Sequence, residues 1–454
     1  MSSENKMGVM PVNKLLLNMS LPMMISMLVQ ALYNIVDSIF VAKLSEDALT
    51  AVSLAFPIQT LLIAVGGGTG VGVNALLSKS LGEKKQDKVN KTAMNGVFLA
   101  VISFLVFVVV GLLAVKPFYA SQVKDVNSDI YIMGVQYLEI CCICSFGLFG
   151  QFIFERLLQA TGKTFYSMIS QGVGAIVNII LDPILIFGMF GFPQLGVAGA
   201  AIATVIGQVA GAVIGLYLNI TRNHEIQLKI KGFRPDWKII GRIYAVGIPS
   251  IIMQSIGSIM TYAMNRILIG FTSTATAVFG VYFKLQSFFF MPVFGLNNGL
   301  VPIIAYNYGA GKRSRMIKAI KCSMAYAFAF CFLGFVLFML IPDKLFMLFE
   351  ASPEMLSIGV PALRIIAVHY LIAWFCIIAG TVFQALGNGV YSLVVSVARQ
   401  LVVLIPAAYI LAKLGGLSYV WWAFPIAEVM SMVVSVIFLI IIYKKIISKV
   451  PNNV

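Results

Sequence analysis

Two carboxylates stand in stretches otherwise suited to lipid: Asp37 in ALYNIVDSIFVA and Asp182 in AIVNIILDPILIFG. An acid near the middle of a membrane helix costs about 2.5–3.5 kcal/mol on insertion scales, so it marks a functional site by default. Each has polar companions at helical spacing. Gln30, Asn34 and Asp37 follow an i, i+4, i+7 pattern and share one helix face, and Asn178 shares a face with Asp182 in the same way. Thr204 brings a hydroxyl to a similar depth one helix later. Carboxylates, an amide carbonyl and a hydroxyl are hard oxygen ligands, suited to Na⁺ or to a proton shared through hydrogen bonds. Two acids close together in a dry setting favour taking up a proton.

The elements that must hold these groups are membrane helices. The 454 residues are 60% hydrophobic and 11% charged, with mean hydropathy +0.96, far from the roughly 25% charged content of soluble domains. Apolar runs of about 20 residues recur along the chain. They predict twelve helices near 16–42, 50–80, 91–115, 129–160, 163–187, 196–221, 241–270, 274–308, 315–341, 356–386, 389–412 and 420–444. The runs are continuous rather than alternating, which excludes a membrane β-barrel and gives an all-α polytopic membrane protein. The polar start MSSENK leads into a segment too long for a signal-peptide core, so it is read as the first span.

The formal net charge of +15 has a topological reading rather than a nucleic-acid one. Basic residues gather at 84–91, 222–242, 312–321 and 444–449, all on one side of the twelve-helix plan. The other side holds little more than Lys43, Lys116, Lys124, Lys344 and Lys413. By the positive-inside rule both termini are cytoplasmic, in a multi-pass plasma-membrane protein. The six cysteines fall in predicted helices, and Cys141, Cys142 and Cys144 match no zinc spacing, so no metal centre or cofactor is expected.

The chain is also duplicated. Pro22 and Pro249 lie 227 residues apart, Leu81-Gly82 is answered by Tyr308-Gly309 at the same offset, and Gln159-Ala160 with Tyr166-Ser167 is echoed by Gln384-Ala385 with Tyr391-Ser392. This divides the chain into an N-terminal lobe (1–221, helices 1–6), a linker (222–240) and a C-terminal lobe (241–454, helices 7–12). Six spans per half make the repeats parallel, related by a pseudo-two-fold axis along the membrane normal, a plan typical of secondary transporters.

The sequence resembles the multidrug and toxic compound extrusion (MATE) family over its whole length. The resemblance rests on Ser20-Leu21-Pro22, Asp37-Ser38-Ile39-Phe40-Val41, Gly70-Val71-Gly72, Asn178 to Pro183 (NIILDP) and Gly199 to Thr204 (GAAIAT). It implies an antiporter of small amphipathic, often cationic compounds, coupled to H⁺ or Na⁺, and it carries the cation site onto Asp37, Asn178, Asp182 and Thr204. The two acids each precede the outer end of their helix by about 9 Å, which lets them meet. Some members of the family carry a Glu two turns after the helix 7 proline. Here that stretch reads Pro249-Ser-Ile-Ile-Met-Gln-Ser-Ile, with no acid, so coupling is expected to run through the first lobe.

Other intramembrane groups have plainer readings. Glu139, Lys284, Arg399 and Glu428 are expected to form structural ion pairs, Glu155 and Arg156 to snorkel at the cytoplasmic end of helix 4, and His369 to bond a neighbour. Gln30 and Asn34 are candidate polar groups of a cavity, Met27, Phe288 and Met291 candidate substrate contacts, and Pro22 a candidate hinge for gating. The partners expected are small organic compounds and membrane lipid, with a monomeric chain. A lipid-linked oligosaccharide flippase shares the two-lobe plan but calls for several basic cavity residues, for which only Lys284, Arg364 and Arg399 are available. A membrane enzyme is the remaining class; Asp37 and Asp182 lack the YD and GxGD setting of intramembrane aspartyl proteases.

Overall fold

The computed structural model describes residues 4–123, 125–349 and 351–452; Lys124, one of the sparse basic residues opposite the basic clusters, lies outside them. Among the described residues, ten helices are long and apolar enough to span a membrane, and two bent pairs complete twelve. We number them α1 (Val12–Ala42), α2 (Glu46–Gly82), α3 (Gln86–Leu113), α4 (Asp129–Ile143 with Phe146–Ala160), α5 (Thr164–Phe187) and α6 (Val197–Arg222). The second half holds α7 (Trp237–Ile269), α8 (Ser273–Gly309), α9 (Arg313–Leu340), α10 (Pro353–Ala367 with Tyr370–Ala385), α11 (Gly389–Gly415) and α12 (Ala423–Lys445). The predicted spans are all present, with ends shifted by a few residues.

Hydropathy alone did not reveal that α4 and α10 are broken, bending by 45° and 52°. Neither break falls on a proline. At the second, the His369 ring inserts into the helical ladder, its Nδ1 lying 2.6 Å from the Ile366 carbonyl, a recognised cause of kinks. This is the local hydrogen bond expected for a lone histidine.

Side-chain caps fix helix starts at both ends of the bundle, Asp236 capping α7 at the basic end. Ser45, Ser128, Thr272 and Ser352 cap α2, α4, α8 and α10, each side-chain oxygen accepting from a first-turn backbone N–H. These caps lie at the end away from the termini. At the basic end the turns are tight: Gly311 takes the left-handed conformation (φ 69°) after α8, and Lys84 takes it (φ 57°) at the equivalent place after α2.

The lobes meet on glycine. Gly68, Gly72 and Gly82 of α2 recur 227 residues later as Gly295, Gly299 and Gly309 of α8, so each lobe presents a GxxxG pair that lets backbones approach closely. A Cβ on Gly68 would fall 2.8 Å from the backbone nitrogen of Ile251 in α7, and one on Gly295 would fall 2.6 Å from Cα and N of Met24 in α1. Side chains on Gly82 and Gly309 would strike the backbones at Tyr306 and Lys79. The base of α1 (Val12, Leu15, Leu16, Met19) is buried in the core of the second lobe.

Residues 4–10 tie the same end together. Asn5 Nδ2 donates to the Thr161 carbonyl (2.9 Å) and to Glu225 (3.1 Å), while Glu4 pairs with Lys312 (2.9 Å) and Arg315 donates to the carbonyls of Met7 and Met10. All these contacts between lobes lie in the half of the bundle nearer the termini. Among the described residues, no hydrogen bond between the lobes lies toward the other end. The molecule is closed at its basic end and parted at the opposite one. The connection between lobes runs from Asn223 to Asp236, slightly inside the predicted linker.

Candidate cation site and the lobe cavities

The first-lobe site is made where α5 and α6 almost touch. A Cβ on Gly207 would lie 2.7 Å from the Gly174 carbonyl and 3.0 Å from Cβ of Asn178, and one on Gly199 would lie 2.5 Å from the Leu185 carbonyl. With those side chains missing, Asn178 Nδ2 donates both to Asp182 Oδ1 (3.4 Å) along α5 and to Thr204 Oγ1 (3.3 Å) across to α6. Asn178 is 2% exposed and Asp182 fully buried. Asp37 is half-buried on α1, which packs against α5, and makes no hydrogen bond to this cluster among the described residues.

Among the described residues, three oxygens here have no protein hydrogen-bond partner: Asp37 Oδ1, Asn178 Oδ1 and Asp182 Oδ2. A buried acceptor without a donor costs about 1–3 kcal/mol, and more when it is charged. The set is all oxygen and acidic, which fits a small cation or a proton and does not fit an anion.

Next to this cluster is a cavity of about 90 Å³, lined by Gln30, Tyr33, Gln151, Glu155, Gln171, Asn178 and Thr204 among others. Gln171 Nε2 donates to Gln30 Oε1 at 3.2 Å, closing α5 onto α1. Gln30 thus faces the cavity as expected. Asn34 does not line it and is exposed. The inward stripe of α1 runs through Gln30, Tyr33 and Asp37, and Asn34 sits at its edge because four residues turn the helix about 40° beyond a full circle.

A model of the MatE family matches residues 22–184 and again 249–410, one match per lobe. The chain belongs to the MatE family. Among curated relatives, the multidrug export protein MepA of Staphylococcus aureus (strain MRSA252) is 28% identical over 423 residues, covering 92% of this chain and 91% of that protein. MepA of Staphylococcus haemolyticus (strain JCSC1435) is 29% identical over 425 residues, covering 91% and 90%. A solved structure described as the outward-facing conformation of a multidrug resistance MATE family transporter superposes with TM-score 0.91 at 24% identity, covering 99% of this chain and 100% of that one. The two-lobe MatE fold is therefore present.

Several positions of this MatE chain differ from expectation. Glu155 does not snorkel: it is 7% exposed, accepts from Gln151 Nε2 (2.9 Å) and lines the first-lobe cavity. Its neighbour Arg156 turns the other way, donating from Nη1 to Gln159 Oε1 (2.9 Å) and, across the lobe boundary, to Asn298 Oδ1 (3.0 Å). Position near a helix end implies water only if that end is open, and here the basic end is shut.

Of the expected ion pairs, Arg399–Glu428 alone forms among the described residues, at 3.4 Å. Glu139 lies 3.9 Å from Lys116 instead, and Lys284 stands 5.8 Å from the Phe349 ring. Shared depth did not decide the partner, because rotation about each helix axis does. Met27, Phe288 and Met291 line neither cavity described here, while Met253 and Phe294 line the one in the second lobe. Phe294, Asn297, Asn298 and Val301 form one face of α8; Phe288, six residues before Phe294, points about 120° away, and Met291 lies about one turn before Phe294. Helix α1 runs unbroken through Pro22.

Proposed function

We propose that this protein exports small amphipathic, often cationic, toxic compounds and takes in H⁺ or Na⁺ in exchange. The observation that carries the reading is the Asn178–Asp182–Thr204 hydrogen-bonded cluster with its donorless buried oxygens, beside a polar cavity, with Asp37 on the neighbouring helix α1. Such a site calls for a cation and can accept one from only one set of ligands at a time. A cationic compound bound nearby and a coupling ion then compete: the ionised acids favour the loaded state, and the incoming ion neutralises them and favours release. The membrane potential supplies about 2.3 kcal/mol per charge per 100 mV to that exchange.

The names of the relatives, multidrug export proteins, support the substrate class. The distribution of Lys and Arg supports a cytoplasmic basic end, so the parted end would face outward. A proline within α1 would let that helix bend during release.

The test is efflux of ethidium from proteoliposomes under an imposed pH gradient or an imposed Na⁺ gradient. The reading expects one gradient to drive efflux in the wild type, and Asp37→Asn and Asp182→Asn each to lower it tenfold or more. Wild-type rates in both variants, or no efflux under either gradient, would sink it.

A further inference from the structure

The two lobes carry cavities of opposite charge at equivalent positions. The second-lobe cavity, about 260 Å³, is lined by Cys376, Gly380, Ser396 and Arg399. Counting back by the 225-residue offset that relates Gln384-Ala385 to Gln159-Ala160, these positions are Gln151, Glu155, Gln171 and Gly174 of the first-lobe cavity. Where the first lobe has a carboxylate, the second has Gly380; where the first has Gly174, the second has a guanidinium.

Arg399 reaches the cavity from a π-helical turn, Ala398–Leu404, inside α11. Such turns are rare, and those that occur are frequently at functional sites. Its one side-chain hydrogen bond among the described residues is Nη1 to Glu428 Oε2, so other guanidinium donors remain for a ligand. Arg156 adds a second guanidinium from across the lobe boundary, held by two neutral amides rather than by an acid. Adjacent residues of α4 thus supply opposite charges to the two cavities, Glu155 to one and Arg156 to the other. Met253, Phe294, Val301 and Val395 give this second cavity apolar walls.

We propose that the second-lobe cavity is a binding site for the anionic end of an amphipathic compound, a carboxylate in particular. Two planar guanidinium groups over a partly apolar chamber suit a carboxylate on a hydrophobic body. The first lobe would hold cationic groups and the second anionic ones, so zwitterionic compounds would find a partner for each end. This rests on the export reading for its biological meaning but not for its test.

The test uses a rhodamine dye as its cationic methyl ester and as its zwitterionic free acid, which differ by one carboxylate. Binding to purified protein in neutral detergent is followed by fluorescence anisotropy. The acid is expected to lose affinity about tenfold in Arg156→Gln and in the double variant Arg399→Gln/Glu428→Gln, which leaves no unpaired buried charge. The ester is expected to stay within about twofold in both, which also reports that the variants fold. An acid affinity untouched by either variant, parallel losses for both dyes, or a wild type that binds no acid overturns the proposal. Failure of the wild type to export the ester would count against the export reading alone, with the binding comparison still deciding this one.

Discussion

Replacing Gly295 by alanine should push the lobes apart at the basic end. Its Cβ would sit 2.6 Å from both Cα and N of Met24, whereas carbon atoms in ordinary contact are about 3.5–4.0 Å apart. The obstacle is backbone, so no rotamer change relieves it, and α1 and α8 must separate locally by about 1 Å. Overpacking of this kind costs about 1–3 kcal/mol. The cost falls only on arrangements in which this seam is made, so the closed basic end should lose population by about 5- to 150-fold relative to others. Spin labels at Lys91 and Lys318, exposed residues 227 positions apart on the two lobes, can read the change once the six free cysteines have been replaced. The long-distance component should grow at least about fivefold. Gly257→Ala is the control, because a Cβ there meets nothing within 4 Å. An unchanged distribution in Gly295→Ala, or an equal shift from Gly257→Ala, refutes the reasoning.

Two further outcomes are expected. Asn178→Ala removes the amide that joins Asp182 to Thr204, and gradient-driven efflux should drop about tenfold while expression stays normal, since about two hydrogen bonds to one charged cluster are lost; unchanged coupling would mean that the amide only braces α5 against α6. The Glu4 carboxyl is held below the ordinary carboxylate range by its hydrogen bond to Lys312, with burial opposing and the charges of Lys312, Lys84 and Arg315 assisting. A lowered value means the contact contributes fully at neutral pH and fades as the pH falls through that lowered value. Protection factors over residues 4–10, with exchange rates corrected for the intrinsic pH dependence of amides, should therefore be high at pH 7 and fall in acid, and Glu4→Gln should remove the difference.

The Asn178–Asp182–Thr204 cluster was legible because its signal is chemical: an acid in lipid-like sequence, with Asn178 one helical turn before Asp182. The glycines between α5 and α6 complete it in a way the GAAIAT stretch already hints at. Glu155 and Arg156 depart from the sequence expectation because distance along a helix is not distance to water, and only the closed seam shows that α4 ends in protein. Tyr33, Gln151 and Gln171 carried no signal at all, being unremarkable residues whose role depends on helix rotation. The breaks in α4 and α10 are similarly silent, since hydropathy runs through them undisturbed. The charge reversal between lobes was latent in the 225-residue echo, but it acquires meaning only when the equivalent positions are found around two cavities.

The strap formed by residues 4–10 has a thermodynamic side. It spans from Thr161 and Glu225 to Lys312 and Arg315, so opening the basic end, as the proposed export requires, has to break it. A compound arriving from that end binds only the fraction of molecules that have let go, so its apparent dissociation constant is multiplied by the inverse of that fraction. A compound arriving from the other end carries no such penalty. The strap therefore tunes how unequal the two faces of the transporter are, without touching a single ligand, and lengthening or anchoring the start of the chain would retune it.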